Sequence, residues 1–139
     1  MNGILICATL ALSIQGSAPL SYAQARAESL ASQRPLLVLV GADWCPACRD
    51  LKNLTMTRLR QEGKLNDVVY TVVDYDREPR LASQLMRSSS IPQLLLYTPV
   101  QDGWVRLNLQ GSQSSTGVLS LIQQGIAMQR REPAVGLAE

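Results

Sequence analysis

The chain has 139 residues, of which 46% are apolar and 17% charged, so it has the composition of one globular domain and not of a disordered chain. Its formal net charge of +2 is too small to indicate a nucleic-acid partner. The sequence contains no histidine and three cysteines, Cys7, Cys45 and Cys48, which leaves few ligands for a transition-metal site.

The N-terminal segment predicts export. Residues 1–25 carry no charged side chain, and Ile4–Ile14 is an apolar run too short to span a bilayer but typical of the core of a secretory signal. We predict a signal peptide over residues 1–18 and a periplasmic or otherwise exported protein, with Cys7 inert and removed. No basic residue precedes the run, and Ala23–Ala25 offers a second small-x-small cleavage site. An uncleaved membrane anchor is the alternative.

Apolar periodicity and turn residues predict the following elements in chain order. They are a helix over 21–32, a strand over 36–40, a helix from Cys45, a strand over 68–75, a helix capped by Asp76, strands over 93–97 and 104–109 joined by a turn at Asp102–Gly103, and a last helix capped by Ser114 or Ser115. The helix from Cys45 is expected to turn Leu51 and Leu54 inward, with its periodicity interrupted at 55–57.

This order of elements predicts an α/β fold with one mixed sheet of about four strands and helices on both faces. The continuous apolar run of the 36–40 strand indicates burial on both faces. We expect a single domain over residues 19–129, followed by a flexible tail over residues 130–139.

A redox motif stands at the end of the first strand. Cys45 and Cys48 are three residues apart at the start of a helix, so both lie on one face and their sulfurs can bond across a small loop. Cys45 is also next to the unpaired N–H groups at the positive end of the helix dipole, which favours the nucleophilic thiolate. The pattern predicts thiol–disulfide chemistry.

Two cysteines at this spacing can also bind a metal ion or form a structural disulfide. A structural zinc site needs two further Cys or His ligands, and the only other candidate is Cys7. A copper(I) site made of two thiolates needs no further ligand and stays open. A purely structural disulfide is disfavoured, because so small a loop constrains the unfolded chain very little.

At three separated places the chain resembles the thioredoxin superfamily. Leu36–Cys48 is similar to that family's strand leading into Trp-Cys-x-x-Cys. Val72–Asp76, with Pro79 and Leu81 after it, is similar to the second strand and its helix, and Ser90–Tyr97 to the stretch around the cis-proline. The match covers about residues 21–126 and is nearest to the short exported thioredoxin-like domains of bacteria.

The resemblance implies roles for six residues. Cys45 is the attacking cysteine, exposed at the helix tip, and Cys48 is the buried resolving cysteine. Pro92 is the cis-proline facing the motif, and Ile91 offers its backbone to an extended substrate segment. Trp44 and Pro46 complete the substrate-binding surface, where Trp44 shields one side of the pair or is a half-buried packing residue.

Two departures from the family pattern leave the reduction potential open. Typical thioredoxins carry a buried Asp that helps move the proton of the resolving cysteine, and the aligned residue here is Leu39. The residues between the cysteines are Pro46 and Ala47, not the usual Gly-Pro or the Pro-His of strong periplasmic oxidants.

The sequence therefore predicts an exported thiol–disulfide oxidoreductase that exchanges disulfides with thiol- or disulfide-containing proteins and a redox partner protein. It is expected to act as a monomer, without a cofactor or metal. One alternative is a non-enzymatic thioredoxin-fold module that binds partners or carries copper, which tight copper(I) binding without exchange would favour. The other is a cytosolic thioredoxin-like reductant, which requires that the first 20 residues stay inside the cell.

Overall fold

The computed structural model describes residues 19–131 of the chain. The predicted signal peptide (1–18) and residues 132–139 of the predicted tail lie outside the described residues. Between residues 19 and 131, no helix is both long and apolar enough to cross a membrane.

The described chain alternates helices and strands in the predicted order. The elements are α1 (Tyr22–Ser32), β1 (Leu36–Gly41), α2 (Pro46–Asp50), a π-helical turn (Leu51–Met56), α3 (Thr57–Gln61), β2 (Val69–Asp74), α4 (Pro79–Leu85), β3 (Gln93–Val100), β4 (Gly103–Gln110) and α5 (Ser115–Arg131). The turn between β3 and β4 falls at Gln101–Asp102, beside the predicted Asp102–Gly103.

The four strands form one mixed sheet in the order β2-β1-β3-β4. Strand β1 pairs with β2 in parallel and with β3 antiparallel, and β3 pairs with β4 antiparallel. All six residues of β1 are buried, which confirms the prediction of a strand covered on both faces. The α/β fold predicted from the sequence is confirmed.

The two faces of the sheet bury two separate apolar clusters. Alternate residues of β1 point to opposite faces, so Leu37 and Leu39 belong to one cluster, and Leu36, Val38 and Val40 to the other. The first cluster packs under the helical run 46–61 and α5 and also contains Leu51, Met56, Leu59, Leu94, Leu96, Val118, Leu121 and Ile122. The second packs under α1 and α4 and includes Ala25, Val69, Val73, Ala82, Leu85 and Leu95.

The helix caps agree only in part with the sequence prediction. The Ser21 hydroxyl accepts a hydrogen bond from the Gln24 N–H, and the Gln24 side chain accepts one from the Ser21 N–H, which forms a capping box at α1. The Ser114 hydroxyl accepts the N–H of Gly117 at α5. The prediction that Asp76 caps α4 is wrong: the N-cap is Glu78, without a side-chain bond, because the Asp76 carboxylate instead accepts a hydrogen bond from the Trp44 indole.

The helix from the cysteine motif contains a π-helical turn that changes which residues face inward. Leu51 is buried as predicted, but Leu54 is 62% exposed, so its predicted inward position is wrong. In a π-turn, residues i and i+5 lie on the same side, and the inner position after Leu51 therefore falls to Met56, which is 1% exposed. The interruption seen at 55–57 in the sequence is the end of this turn.

Helix α5 extends through Arg130 and Arg131, two residues that the sequence analysis placed in the tail. The end of the helix is held because the Gln129 side chain donates hydrogen bonds to the carbonyls of Gln33 and Pro99. Two arginines in the last turn also complement the negative end of the helix dipole.

A close approach of α5 to β3 at Gly125 generates a stability prediction. A Cβ atom at Gly125 would lie 2.7 Å from Thr98 Oγ1 and would also overlap the Leu96 side chain. We expect Gly125→Ala to lower the free energy of unfolding by about 1–2 kcal/mol, because the overlap outweighs the gain in helix propensity. Urea denaturation of the purified domain measures the change.

The matched control is Gly117→Ala in the same helix. Its Cβ would meet only the flexible end of Gln113 at 3.0 Å and Ser114 Oγ at 3.6 Å. This variant should be as stable as the parent or up to about 1 kcal/mol more stable. Equal effects of the two substitutions would contradict the packing argument.

Candidate active site

The strand register brings the sequence-predicted site residues to one end of the sheet. Gly41, the last residue of β1, is paired with Asp74, the last residue of β2, and Val40 is paired with Gln93, the first residue of β3. The loop from Gly41 to the cysteine motif and the Ile91–Pro92 peptide therefore lie beside each other, although they are far apart in sequence. All six predicted site residues are at this end.

Cys45 and Cys48 form a disulfide at the first turn of α2. Cys45 is the N-cap residue, Pro46 is the first helical residue, and the two Cα atoms are 5.2 Å apart. The Cys48 N–H donates a hydrogen bond of 3.2 Å to Cys45 Sγ. The sulfur of Cys45 thus takes the position in which a side-chain oxygen commonly caps a helix.

Cys45 is less accessible than the sequence analysis expected. Its residue exposure is 7%, against 4% for Cys48, so both cysteines are buried in the disulfide form. The disulfide draws the Cys45 sulfur back onto the first turn of the helix, which explains why a residue at the helix tip is covered. Pro46, beside it, is exposed.

Trp44 lies on the surface beside the disulfide. It is 65% exposed, so it is not a half-buried packing residue, and its indole N–H donates a hydrogen bond of 2.8 Å to Asp76 Oδ2. One hydrogen bond from the loop after β2 thus sets the direction of the exposed ring. Sequence reasoning missed this role of Asp76, because the contact joins residues from two different loops.

The Ile91–Pro92 segment enters β3 opposite the cysteine loop. The peptide bond between the two residues is cis, and Pro92 is buried while Ile91 is partly exposed. The Pro92 carbonyl accepts a hydrogen bond from the Gly111 N–H at 2.9 Å. Ile91 itself takes part in none of the backbone hydrogen bonds of the described loops and caps.

Gln93 holds the segment before Ile91 in place and was missed by the sequence analysis. Its side chain is fully buried, and its Nε2 lies 3.0 Å from the Ser88 carbonyl, 2.9 Å from the Ser88 hydroxyl and 2.9 Å from the Ser90 carbonyl. A polar residue in a strand predicted to be apolar was the available signal, since a buried amide needs hydrogen-bond partners.

The charges near the site are on its outer side. Asp43, before Trp44, forms ion pairs with Lys52 at 3.3 Å and Arg77 at 3.5 Å, and its side chain is 60% exposed. Ion pairs this exposed contribute little to stability. Within residues 19–131, no group of three or more His, Cys, Asp or Glu side chains is arranged to hold a metal ion.

Comparison with known proteins gives the same fold. The chain is similar to a thioredoxin from Thermus thermophilus, with 20% identity over 81% of this chain and 94% of that one and a TM-score of 0.66. It is also similar to mitochondrial thioredoxin 3 from Saccharomyces cerevisiae in its oxidized form, with 21% identity, 71% and 87% coverage and a TM-score of 0.56. The Edwardsiella tarda protein Trxlp is 29% identical over 75% of this chain and 95% of that one, with a TM-score of 0.59.

No curated protein sequence matches the chain significantly. A sequence model described as thioredoxin-like does match, over residues 18–99, which is more than half of the chain. Together with a cysteine pair at disulfide distance, this match supports the predicted thiol–disulfide oxidoreductase activity. The chain belongs to the thioredoxin-like family.

Proposed function

We propose that the protein is exported and exchanges disulfides with partner proteins, with Cys45 as the attacking cysteine and Cys48 as the resolving one. The observation that carries this proposal is the hydrogen bond from the Cys48 N–H to Cys45 Sγ at the start of the helix. In the reduced protein the same N–H and the helix dipole favour a thiolate on Cys45 over one on Cys48.

Exchange proceeds through a mixed disulfide. The Cys45 thiolate attacks a substrate disulfide and bonds to one of its sulfurs, while the other sulfur leaves as a thiolate. Cys48 then attacks Cys45, which releases the second substrate sulfur and closes the Cys45–Cys48 disulfide. The reverse sequence oxidises a substrate dithiol, and no cofactor takes part in either direction.

The backbone of Ile91 is the proposed docking point for an extended substrate segment. Both of its neighbours are anchored, because the Ser90 carbonyl accepts from Gln93 Nε2 and the Pro92 carbonyl accepts from the Gly111 N–H. Ile91 is held between them with its own backbone groups outside the described loop hydrogen bonds. An unpaired backbone at the end of a strand can bind a peptide by strand addition.

Trp44 and Pro46 supply the apolar part of the same surface. The Trp44 ring is largely exposed but fixed at its N–H end by Asp76, so a partner can cover it without first ordering it. Such a surface favours partners with an apolar residue near the reacting disulfide.

The reduction potential of the Cys45–Cys48 pair would distinguish a reductant, near about −270 mV, from an oxidant, near about −120 mV.

The roles of the two cysteines predict opposite behaviour of two serine variants. Cys45→Ser should lose all exchange activity, because the nucleophile is gone. Cys48→Ser should retain the first attack and accumulate mixed disulfides with partners, because nothing resolves them. Non-reducing gel electrophoresis of each variant incubated with a disulfide-containing protein substrate measures the trapping.

Equal trapping of mixed disulfides by both variants would contradict the assignment of roles.

Copper(I) titration of the reduced parent protein tests the alternative function as a copper carrier. Tight copper(I) binding together with negligible exchange would favour a copper-carrying module over an oxidoreductase.

The anchoring of the docking segment predicts a substrate-dependent effect of Gln93→Met. The substitution preserves the size of the buried side chain and removes the amide that holds Ser88 and Ser90. We expect the kcat/KM for a protein disulfide to fall several-fold, while exchange with a small aromatic disulfide changes little, because only the protein uses the Ile91 backbone.

Gln124→Met is the matched control, since Gln124 is exposed on α5 and bonds only to Ser120. It should leave both rates unchanged. If Gln93→Met slows both substrates equally, the side chain has a structural role only.

Export predicts a processed N-terminus. The supporting observation is the uncharged first 25 residues with their short apolar run. Intact-mass spectrometry of the protein purified from its native host should show a mature chain that begins after residue 15. Soluble cytosolic protein with an intact N-terminus would overturn this part of the proposal and favour the cytosolic reductant.

A further inference from the structure

The resolving step requires a route for a proton. Cys48 attacks as a thiolate, and it is only 4% exposed, in surroundings where burial disfavours the charged form. The proton of its thiol must therefore reach water or a base through the protein. This inference rests on the roles proposed above for Cys45 and Cys48.

A small cavity borders Cys48. Its volume is about 20 Å³, enough for one water molecule. Gly41 forms part of the wall, and a Cβ there would lie only 3.0 Å from Cys48 Cβ and 3.1 Å from Cys48 Sγ. The backbone of β1 can approach the sulfur this closely because residue 41 has no side chain.

Both aliphatic and charged side chains line the cavity. Leu39 and Val72 supply aliphatic side chains from the two central strands. The charged groups come from Asp43, Lys52 and Asp74, which belong to the cysteine loop, the π-turn and the end of β2. A water molecule in the cavity would thus have both aliphatic and charged neighbours.

Of the two carboxylates, Asp74 has the oxygen that is open to a water molecule in the cavity. Asp43 is largely exposed and is already paired with Lys52 and Arg77. Asp74 is half-buried, and its Oδ1 is fixed by hydrogen bonds from the N–H groups of Asp76 at 2.9 Å and Arg77 at 3.0 Å. Within the described residues Oδ2 has no hydrogen-bond partner, so this oxygen can receive a proton.

We propose that a water molecule in this cavity carries the proton of the Cys48 thiol to the Asp74 carboxylate. The Cys48 thiolate then bonds to Cys45 Sγ, and the bond between Cys45 and the substrate sulfur breaks, with its electron pair leaving on the substrate thiolate. In the reverse direction, Cys48 is the leaving thiolate and the same path returns a proton to it. Lys52 also lines the cavity, and its positive charge favours the transient negative charge there.

A small aromatic disulfide that releases a coloured thiolate, 5,5′-dithiobis(2-nitrobenzoate), tests the proposal. With reduced protein, the first release reports the attack by Cys45 and the second reports resolution by Cys48. We expect Asp74→Asn to leave the first release unchanged and to slow the second by roughly tenfold or more at pH 7. The asparagine Oδ1 can still accept both N–H bonds, so the turn is retained.

The pH profile separates proton transfer from a structural effect. As the pH rises, hydroxide increasingly replaces the carboxylate as the base, and the difference between Asp74→Asn and the parent should shrink. Asp74→Glu, which keeps the carboxylate, should restore most of the rate of the second release. Asp67→Asn, the matched control at an exposed position outside the cavity lining, should leave both releases near the parent rates.

Val72→Leu supplies a second variant that leaves Asp74 intact. Its added methylene fills the cavity and displaces the water, so the second release should slow while the first does not. An unchanged second release in either Asp74→Asn or Val72→Leu would overturn the relay. Failure of the proposed cysteine roles looks different, because Cys45→Ser would then still give a first release at the parent rate.

Discussion

The pairing of β1 with two neighbours of opposite direction is the constraint on which the site depends. Because β2 is parallel to β1 and β3 is antiparallel, the carboxyl ends of two strands and the amino end of a third meet at one end of the sheet. The Tyr75 N–H donates to the Gly41 carbonyl at 2.8 Å and extends the pairing beyond the last residues of the strands. The cysteine loop, the Asp74–Asp76 turn and the Ile91–Pro92 peptide are therefore held by backbone hydrogen bonds and by the apolar clusters on both faces.

The reactive cysteines and the exposed groups beside them occupy different parts of this end of the sheet. Both cysteines are buried, and Cys48 lies against β1 at Gly41, whereas the Trp44 ring and Pro46 beside them are exposed. The ion pairs of Asp43 stand outside and are exposed, so they contribute about 0–1 kcal/mol each at most. In the proposed docking mode, shape and backbone pairing therefore matter more than charge for the choice of a partner.

Periodicity and motif spacing predicted most of the fold and the cysteine pair, for reasons that apply to particular residues. The continuous apolar run of β1 and the Cys45–Cys48 spacing are local properties and can be read from the chain. The exposure of Leu54 could not be predicted, because it depends on a π-turn that exchanges one residue's place in the core for another's. Gln93 and Asp76 act through contacts with distant loops, and the cavity beside Cys48 exists only where Gly41, Val72 and Asp74 meet. Such features depend on neighbours in space and leave no periodic signal.

The π-turn also has a consequence for how this protein can change. It divides one long helix into a half that carries the cysteines and a half that is anchored in the core through Leu59, with a shift of register between them. The inward-facing residues of α3 are therefore not in the helical register of Cys48. A substitution that changes the volume of the core under α3 acts on these residues. Core residues under α3 can therefore be substituted during evolution while the geometry of the disulfide is kept. Core packing and disulfide geometry can in this way evolve partly independently.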